Sequence, residues 1–197
     1  MFFRSSATAL CLFLCITACA GSAFAISSPV FSARFDSEIK AAAERWWPDY
    51  PHWLSLKAQL FQESKLDPAA VSPVGARGLG QFMPGTWADV SKALGWKNVS
   101  PHSAPHSIIA AAFYMRQLRR FPDWRETPDP DRHQLAQAAY NAGAGNIRKA
   151  ERRCGMASTY SGIIACLADV TGRANARQST EYVDRIARWR ALMEAGK

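Results

Sequence analysis

From Phe35 to Met193 apolar residues recur three and four positions apart, and strand-like alternation is almost absent. That period gathers the apolar side chains of each segment on one face of an α-helix, which restricts the chain to packing helices on helices. Phe35, Ile39, Ala42 and Trp46 predict a first helix that stops before Pro48, because the residue ahead of a proline avoids helical backbone. Pro51 suits the first turn of the next helix, whose wide apolar face is built by Trp53, Leu56 and Leu60 with Leu54 and Phe61 beside them. Glu63 and Ser64 fall at its C-terminal end, ahead of Asp67-Pro68. Thr86 with Asp89 resembles a capping box for a helix reaching Leu94, with Gly95 as its stop. Ile108, Ala112, Met115 and Leu118 mark a strongly apolar helix ending near Phe121, followed by a proline-rich turn from Pro122 to Pro130. Leu135, Ala138 and Ala139 predict a helix from after Asp131 to Asn141. A short basic helix spans Ile147 to Arg153, and a last helix carries Tyr182, Ile186, Trp189 and Met193. The expected class is all-α, or mainly helical within the α+β class.

The N-terminus predicts export. Arg4 is the only charge before Arg34, Ala7 to Ala20 is apolar, and Ala23-Phe24-Ala25 has the small-x-small form of a cleavage site. Residues 1–25 therefore read as a secretory signal, too short and wrongly flanked for a lasting membrane span. A second reading stays open: Ile16-Thr17-Ala18-Cys19 resembles a lipobox, in which the signal ends before Cys19 and that cysteine is lipidated. Residues 26–34 form a linker. No repeat or second block of composition follows, so one domain is expected over 35–197 of the 197 residues, acting as a monomer.

Either cut removes Cys11 and Cys15 and leaves Cys154 and Cys166 in an oxidising compartment, where they are expected to pair. Two buried free thiols are the alternative. Without histidines nearby the cysteines make no zinc site, and no other metal site is expected. The net charge of +8 suits a polyanionic partner, either an anionic membrane, nucleic acid or an acidic wall polymer. No nucleic-acid-binding motif is present, so nucleic acid is not an expected partner. A membrane would be reached only through a lipid on Cys19.

Three segments can carry chemistry. Glu63 sits where the negative end of a helix dipole and an apolar helix both favour a protonated carboxyl, the form that can protonate a leaving oxygen. Taken alone, a glutamate at a helix end is usually solvated. Gly75-Ala76-Arg77-Gly78-Leu79-Gly80-Gln81-Phe82-Met83-Pro84 combines glycines that allow close backbone approach with an amide that can both donate and accept. It lacks the spacing and the Lys-Ser/Thr of a phosphate loop, and an ordinary structural loop is the alternative. Ala139-Tyr140-Asn141-Ala142-Gly143 places a phenol and an amide at a helix end, where a core tyrosine and a capping asparagine are the bland reading.

The order Glu-Ser, Gly-Leu-Gly-Gln-Phe-Met-Pro, Ala-Tyr-Asn-Ala-Gly and a late Tyr-Val resembles the soluble lytic transglycosylases, over roughly Trp53 to Trp189. The resemblance implies a goose-type-lysozyme-like helical domain with a substrate cleft. It implies Glu63 as the single catalytic acid and base, Ser64 and Gln81 shaping the sugar site, and Met83 packing on bound sugar. Tyr140 would hold the Glu63 carboxyl, Asn141 would contact substrate near the scissile bond, and Tyr182 would approach the carboxyl from the last helix. Family members often have Glu-Thr where this chain has Gln178-Ser179, which leaves the hydrogen bonding around the last helix open.

Most glycosidases need two carboxylates, and Asp67 reads better as part of an Asp-Pro turn than as a second one. The implied reaction therefore uses one carboxyl to cut the MurNAc-β-1,4-GlcNAc bond of peptidoglycan and close a 1,6-anhydro ring, with no cofactor. A lysozyme-type muramidase and a non-catalytic peptidoglycan-binding module are the alternatives. The implied location is the periplasm, with an outer-membrane lipoprotein as the variant.

Overall fold

The structure is a computed structural model that describes residues 31–50, 52–124 and 126–196. The expected signal segment, the lipidation site Cys19, most of the linker and Pro51 lie outside the described residues. Among the described residues the chain is helical, with two isolated β-bridges and no strand. The helices are α1 (Asp36–Trp46), α2 (Trp53–Ser64), α3 (Pro84–Ala93), α4 (Ala104–Arg119), α5 (Asp131–Ala142), α6 (Ala144–Arg153), α7 (Tyr160–Ile164), α8 (Ala168–Thr171) and α9 (Arg173–Ala195), with a 3-10 turn at Pro122–Trp124. No helix among them is long and apolar enough to cross a membrane.

The long α9 packs along α2, α5 and α8, while α4 packs on α1 and α5. Alanines allow the close approach of α4 and α5: Ala110, Ala111 and Ala112 on one, and Ala136, Ala138 and Ala139 on the other, are all buried. Leucine, isoleucine and methionine fill the remaining space, with Leu56, Leu60, Ile108, Met115, Leu135 and Ile147 fully enclosed. Two buried tryptophans also satisfy their ring N–H. Trp47 Nε1 donates to Ala112 O at 2.8 Å and Trp124 Nε1 to Leu118 O at 2.7 Å.

Arg119 is buried at the end of α4 and donates to Asp129 at 2.8 and 3.0 Å and to Asp49 at 3.2 Å. It ties the α1–α2 connection to the segment before α5, and its charge is matched where it is desolvated. Cys154 and Cys166 are disulfide-bonded, joining the end of α6 to the residues after α7.

The expected capping box is not used. Met83 is the N-cap of α3 and Pro84 its first residue, so the helix begins before Thr86. Proline's fixed φ and absent N–H suit that first position. The helices α7 and α8, of 5 and 4 residues, were not anticipated.

Candidate active site

Glu63 is the penultimate residue of α2. The chain leaves the helix through two successive left-handed residues, Lys65 (φ 57°) and Leu66 (φ 64°), and the Lys65 N–H closes the last turn on Phe61 O at 2.9 Å. The Lys65 ammonium lies 4.4 Å from the Phe61 ring centre and 4.7 Å from that of Trp189, which holds this reversal against α9. One residue before Glu63, Gln62 accepts from Trp189 Nε1 at 2.9 Å. The residues flanking Glu63 are thus pinned to the last helix on two sides.

As a residue Glu63 is half-buried, and its carboxyl is enclosed closely enough that burial raises its pKa to about 7. The hydroxyl of the buried Tyr182 donates to Glu63 Oε1 at 2.5 Å and offsets part of that rise. Tyr182 projects from α9, 119 residues further along the chain. Proximity of the Glu63 carboxylate adds to the burial that holds both Tyr182 and Tyr140 well above the ordinary phenol range, so the three groups share one enclosure. The amide of Gln59, one turn before Glu63 on α2, also bears on Tyr182.

Tyr140 differs from its expected role. Its hydroxyl donates to Gly80 O at 2.7 Å rather than to Glu63. A phenol has one proton to give, and the loop carbonyl takes it. Tyr140 therefore positions the glycine loop beside the carboxyl.

The loop is folded on itself through two antiparallel bridges, Val71–Arg77 and Arg77–Phe82. Leu79 and Phe82 turn into the core, and Gly80 N–H donates to the buried Ser107 Oγ at 3.1 Å. Two glycines are obligatory. A Cβ on Gly78 (φ +74°) would lie 1.9 Å from Pro101 O, and one on Gly80 would lie 2.7 Å from the Phe82 ring and 3.0 Å from Tyr140 Oη. Ser64 Oγ shares its one proton between Leu79 O at 3.0 Å and Leu60 O at 3.3 Å, so it shapes the site by fastening loop to helix.

Gln81 is a partial correction. Its Nε2 donates to Gly78 O at 2.9 Å and Ala70 O at 3.3 Å, which commits the amide's donors to the loop. Only Oε1 remains uncommitted, and the side chain offers an acceptor rather than the expected donor-acceptor pair. Met83 is 44% exposed at the start of α3.

Asn141 is exposed at the end of α5, and its Oδ1 accepts from Ser179 Oγ at 2.9 Å. That leaves Nδ2 as its uncommitted donor. Sequence reasoning did not identify Ser179 as this partner, although its place three residues before Tyr182 put both on one face of α9. Asp67 Oδ1 accepts from Ala69 N–H at 2.9 Å, so this carboxylate serves its own turn.

The Transglycosylase SLT domain family matches this chain over residues 49–161. The matched stretch holds Glu63, the glycine loop and Tyr140-Asn141, and ends before α9. Membrane-bound lytic murein transglycosylase F of Saccharophagus degradans is 39% identical over 118 residues, covering 59% of this chain and 21% of that protein. Its namesake in Maricaulis maris is 33% identical over 159 residues, covering 73% of this chain and 33% of that protein. The chain thus spans a third or less of these relatives. The X-ray structure of an inactive mutant of lytic transglycosylase Slt from Pseudomonas aeruginosa superposes with a TM-score of 0.64 at 23% identity, over 81% of this chain and 24% of that one. That likeness fixes the lysozyme-like helical fold. With more than half its length matched by the family, this chain belongs to the Transglycosylase SLT domain family.

Proposed function

We propose that the chain is a lytic transglycosylase that cuts the MurNAc-β-1,4-GlcNAc bond of peptidoglycan glycan strands, with Glu63 as acid and then base. The observation that carries this reading is the Glu63 carboxyl, with its pKa near 7 and one oxygen held by Tyr182. A carboxyl of that affinity is about half protonated at neutral pH and can give or take a proton with little penalty. Because Oε1 accepts from Tyr182, the transferable proton belongs on Oε2.

The proton passes from Oε2 to the glycosidic oxygen, and the bond from that oxygen to muramoyl C1 breaks. The positive charge that develops at C1 is met by the substrate's own acetamido oxygen. The departing sugar leaves with the proton. Glu63, now a carboxylate, takes the proton of the muramoyl 6-hydroxyl, and O6 bonds to C1 to close the 1,6-anhydro ring. Glu63 ends protonated, as it began, and no water is consumed. A single carboxyl suffices for this sequence, which agrees with Asp67 being engaged in its own turn. Gln81 Oε1 and Asn141 Nδ2 are the uncommitted polar atoms that orient the sugar, and Met83 supplies an apolar face.

The same reading places the protein in the periplasm, where the relatives' names, the wall polymer and an oxidised Cys154–Cys166 pair belong together. Mass spectrometry of muropeptides released from purified sacculi tests the reaction. Wild-type protein should yield anhydro ends, and Glu63→Gln should lose nearly all turnover while still binding. Water-added reducing ends would make the protein a muramidase, and undiminished clearing by Glu63→Gln would remove Glu63 from the chemistry.

A further inference from the structure

A pocket of about 270 Å³ lies towards the other end of the three helices that carry Glu63, Asn141 and Tyr182. Ser55 lines it eight residues before Glu63 on α2, His133 eight before Asn141 on α5, and Arg190 eight after Tyr182 on α9. Eight residues of helix span about 12 Å, so the pocket is separate from the proposed chemistry. Two of its side chains are buried with nothing in the protein to bond. Ser55 is 2% exposed and His133 3%, and neither Ser55 Oγ nor His133 Nε2 has a hydrogen-bond partner among protein groups. Such atoms are rare in a folded interior and call for a partner. Burial, and after it the charge of Arg119, hold His133 well below the ordinary histidine range, so the ring is neutral. Arg119 Nη1, which can only donate, lies 3.3 Å from His133 Nδ1. Nδ1 is therefore the ring's acceptor, and Nε2 carries the proton as an unused donor.

The rim adds further donors. Arg190 Nη1 donates to Tyr50 Oη at 3.3 Å, which leaves the phenol its own proton to give. Arg190 Nε donates to Glu194 Oε1 at 2.9 Å, and the exposed Glu194 can turn to water at little cost. Gln134 and Gln137 can serve as donor or acceptor. Val183, Ile186, Ala187 and Ala191 make the α9 side of the pocket apolar. Unused donors beside aliphatic carbon select a ligand with paired acceptor oxygens and a hydrocarbon body. Inorganic phosphate would leave the apolar side uncovered, and an amide would bring donors of its own to a site already rich in them. At ~30 Å³ for each water-sized group, the pocket holds roughly nine non-hydrogen atoms. We infer that this pocket binds a small aliphatic carboxylate, with its oxygens on His133, Ser55 and Arg190 and its chain against Val183 and Ile186.

The test follows the His133 ring signals of the intact protein by NMR while isovalerate is added, with isovaleramide and inorganic phosphate in parallel. The free protein should show the ring protonated on Nε2. Isovalerate should shift the His133 signals saturably. Isovaleramide, which lacks the charge, and phosphate, which lacks the hydrocarbon, should each bind about tenfold more weakly or worse. Arg190→Gln at the rim should weaken isovalerate about tenfold. Ser55→Ala should weaken it roughly fivefold, and it keeps the fold because it removes a buried hydroxyl that has no protein partner. Unmoved His133 signals, equal binding of isovaleramide or phosphate, or unchanged affinity in either variant would overturn the assignment. None of these measurements uses turnover, so they stand whether or not Glu63 yields anhydro products.

Discussion

In the proposed reaction one carboxyl first gives and then takes a proton, which ties the rate to its own titration. The proposed acid step needs protonated Glu63, so kcat/KM should fall as pH rises above about 7. The Tyr182 bond lowers that pKa, and Tyr182→Phe should therefore move the falling limb to higher pH while reducing kcat. A pH profile of soluble-strand turnover reads the shift, and an unmoved limb would sink Tyr182's role. The same titration bears on stability. Glu63 binds its proton more tightly folded than unfolded, where 4.5 is the ordinary value. Its contribution is fully present below about 4.5 and is lost as pH rises towards 7. Glu63→Gln, which cannot ionise, should be more stable than wild type at pH 8, by up to about 3 kcal/mol, and no more stable at pH 4. Urea midpoints at the two values test this. The raised pKa of Glu63 was legible in the sequence from its place at the end of an apolar helix, whereas its proposed role as the acid came only with the motifs that carry the family resemblance. Which of two phenols would reach it was not legible. Tyr140 and Tyr182 each have one proton, and the competing acceptor, Gly80 O, is set by the folding of a loop 60 residues from Tyr140.

The glycine loop is the element that depends most on single atoms. Gly78→Ala would drive a methyl into the Pro101 carbonyl at a positive φ, with backbone on both sides of the clash. It should cost about 3 kcal/mol or more and lower activity with it, as thermal unfolding alongside turnover would show. A variant as stable as wild type would mean that the loop and the Pro101 segment separate readily. Glycine punctuation marked this segment as a loop, and the apolar periods located five of the seven helices of ten or more residues among the described residues. The short α7 and α8 escaped because a helix of one turn is shorter than the window in which a period of 3.6 can be recognised. The capping-box reading of Thr86 and Asp89 failed for a local reason: Pro84 had already started the helix. Gln81 looked bifunctional because the sequence cannot show that its own loop consumes its donors.

At the scale of the whole molecule, the disulfide holds α6 to the α7 region while the proposed chemistry sits between α2 and α9. Closing a loop of 12 positions stabilises a fold by about 3 kcal/mol on the chain-entropy model. Reductant, or Cys154→Ala with Cys166→Ala, should lower the melting temperature yet leave kcat on soluble strands near that of the oxidised protein below the melt. Loss of turnover without loss of stability would show that the bond shapes the site. The pairing of these two cysteines was readable from their number once the expected signal is discounted, whereas the packing of α9 on α2 was implied only by the resemblance that set Tyr182 against Glu63, because nothing in either helix names its distant neighbour. That packing governs when the site exists. As the chain is synthesised, Glu63 emerges 119 residues ahead of Tyr182. Until the last helix is made and docks, the acid lacks the hydroxyl that tunes it. A chain cut short before α9 retains the acid, the glycine loop and Asn141, so it keeps the recognisable motifs but lacks the hydroxyl that tunes the acid. Motif content and a tuned acid are therefore separable in the proposed enzyme, and only a chain that includes α9 carries both.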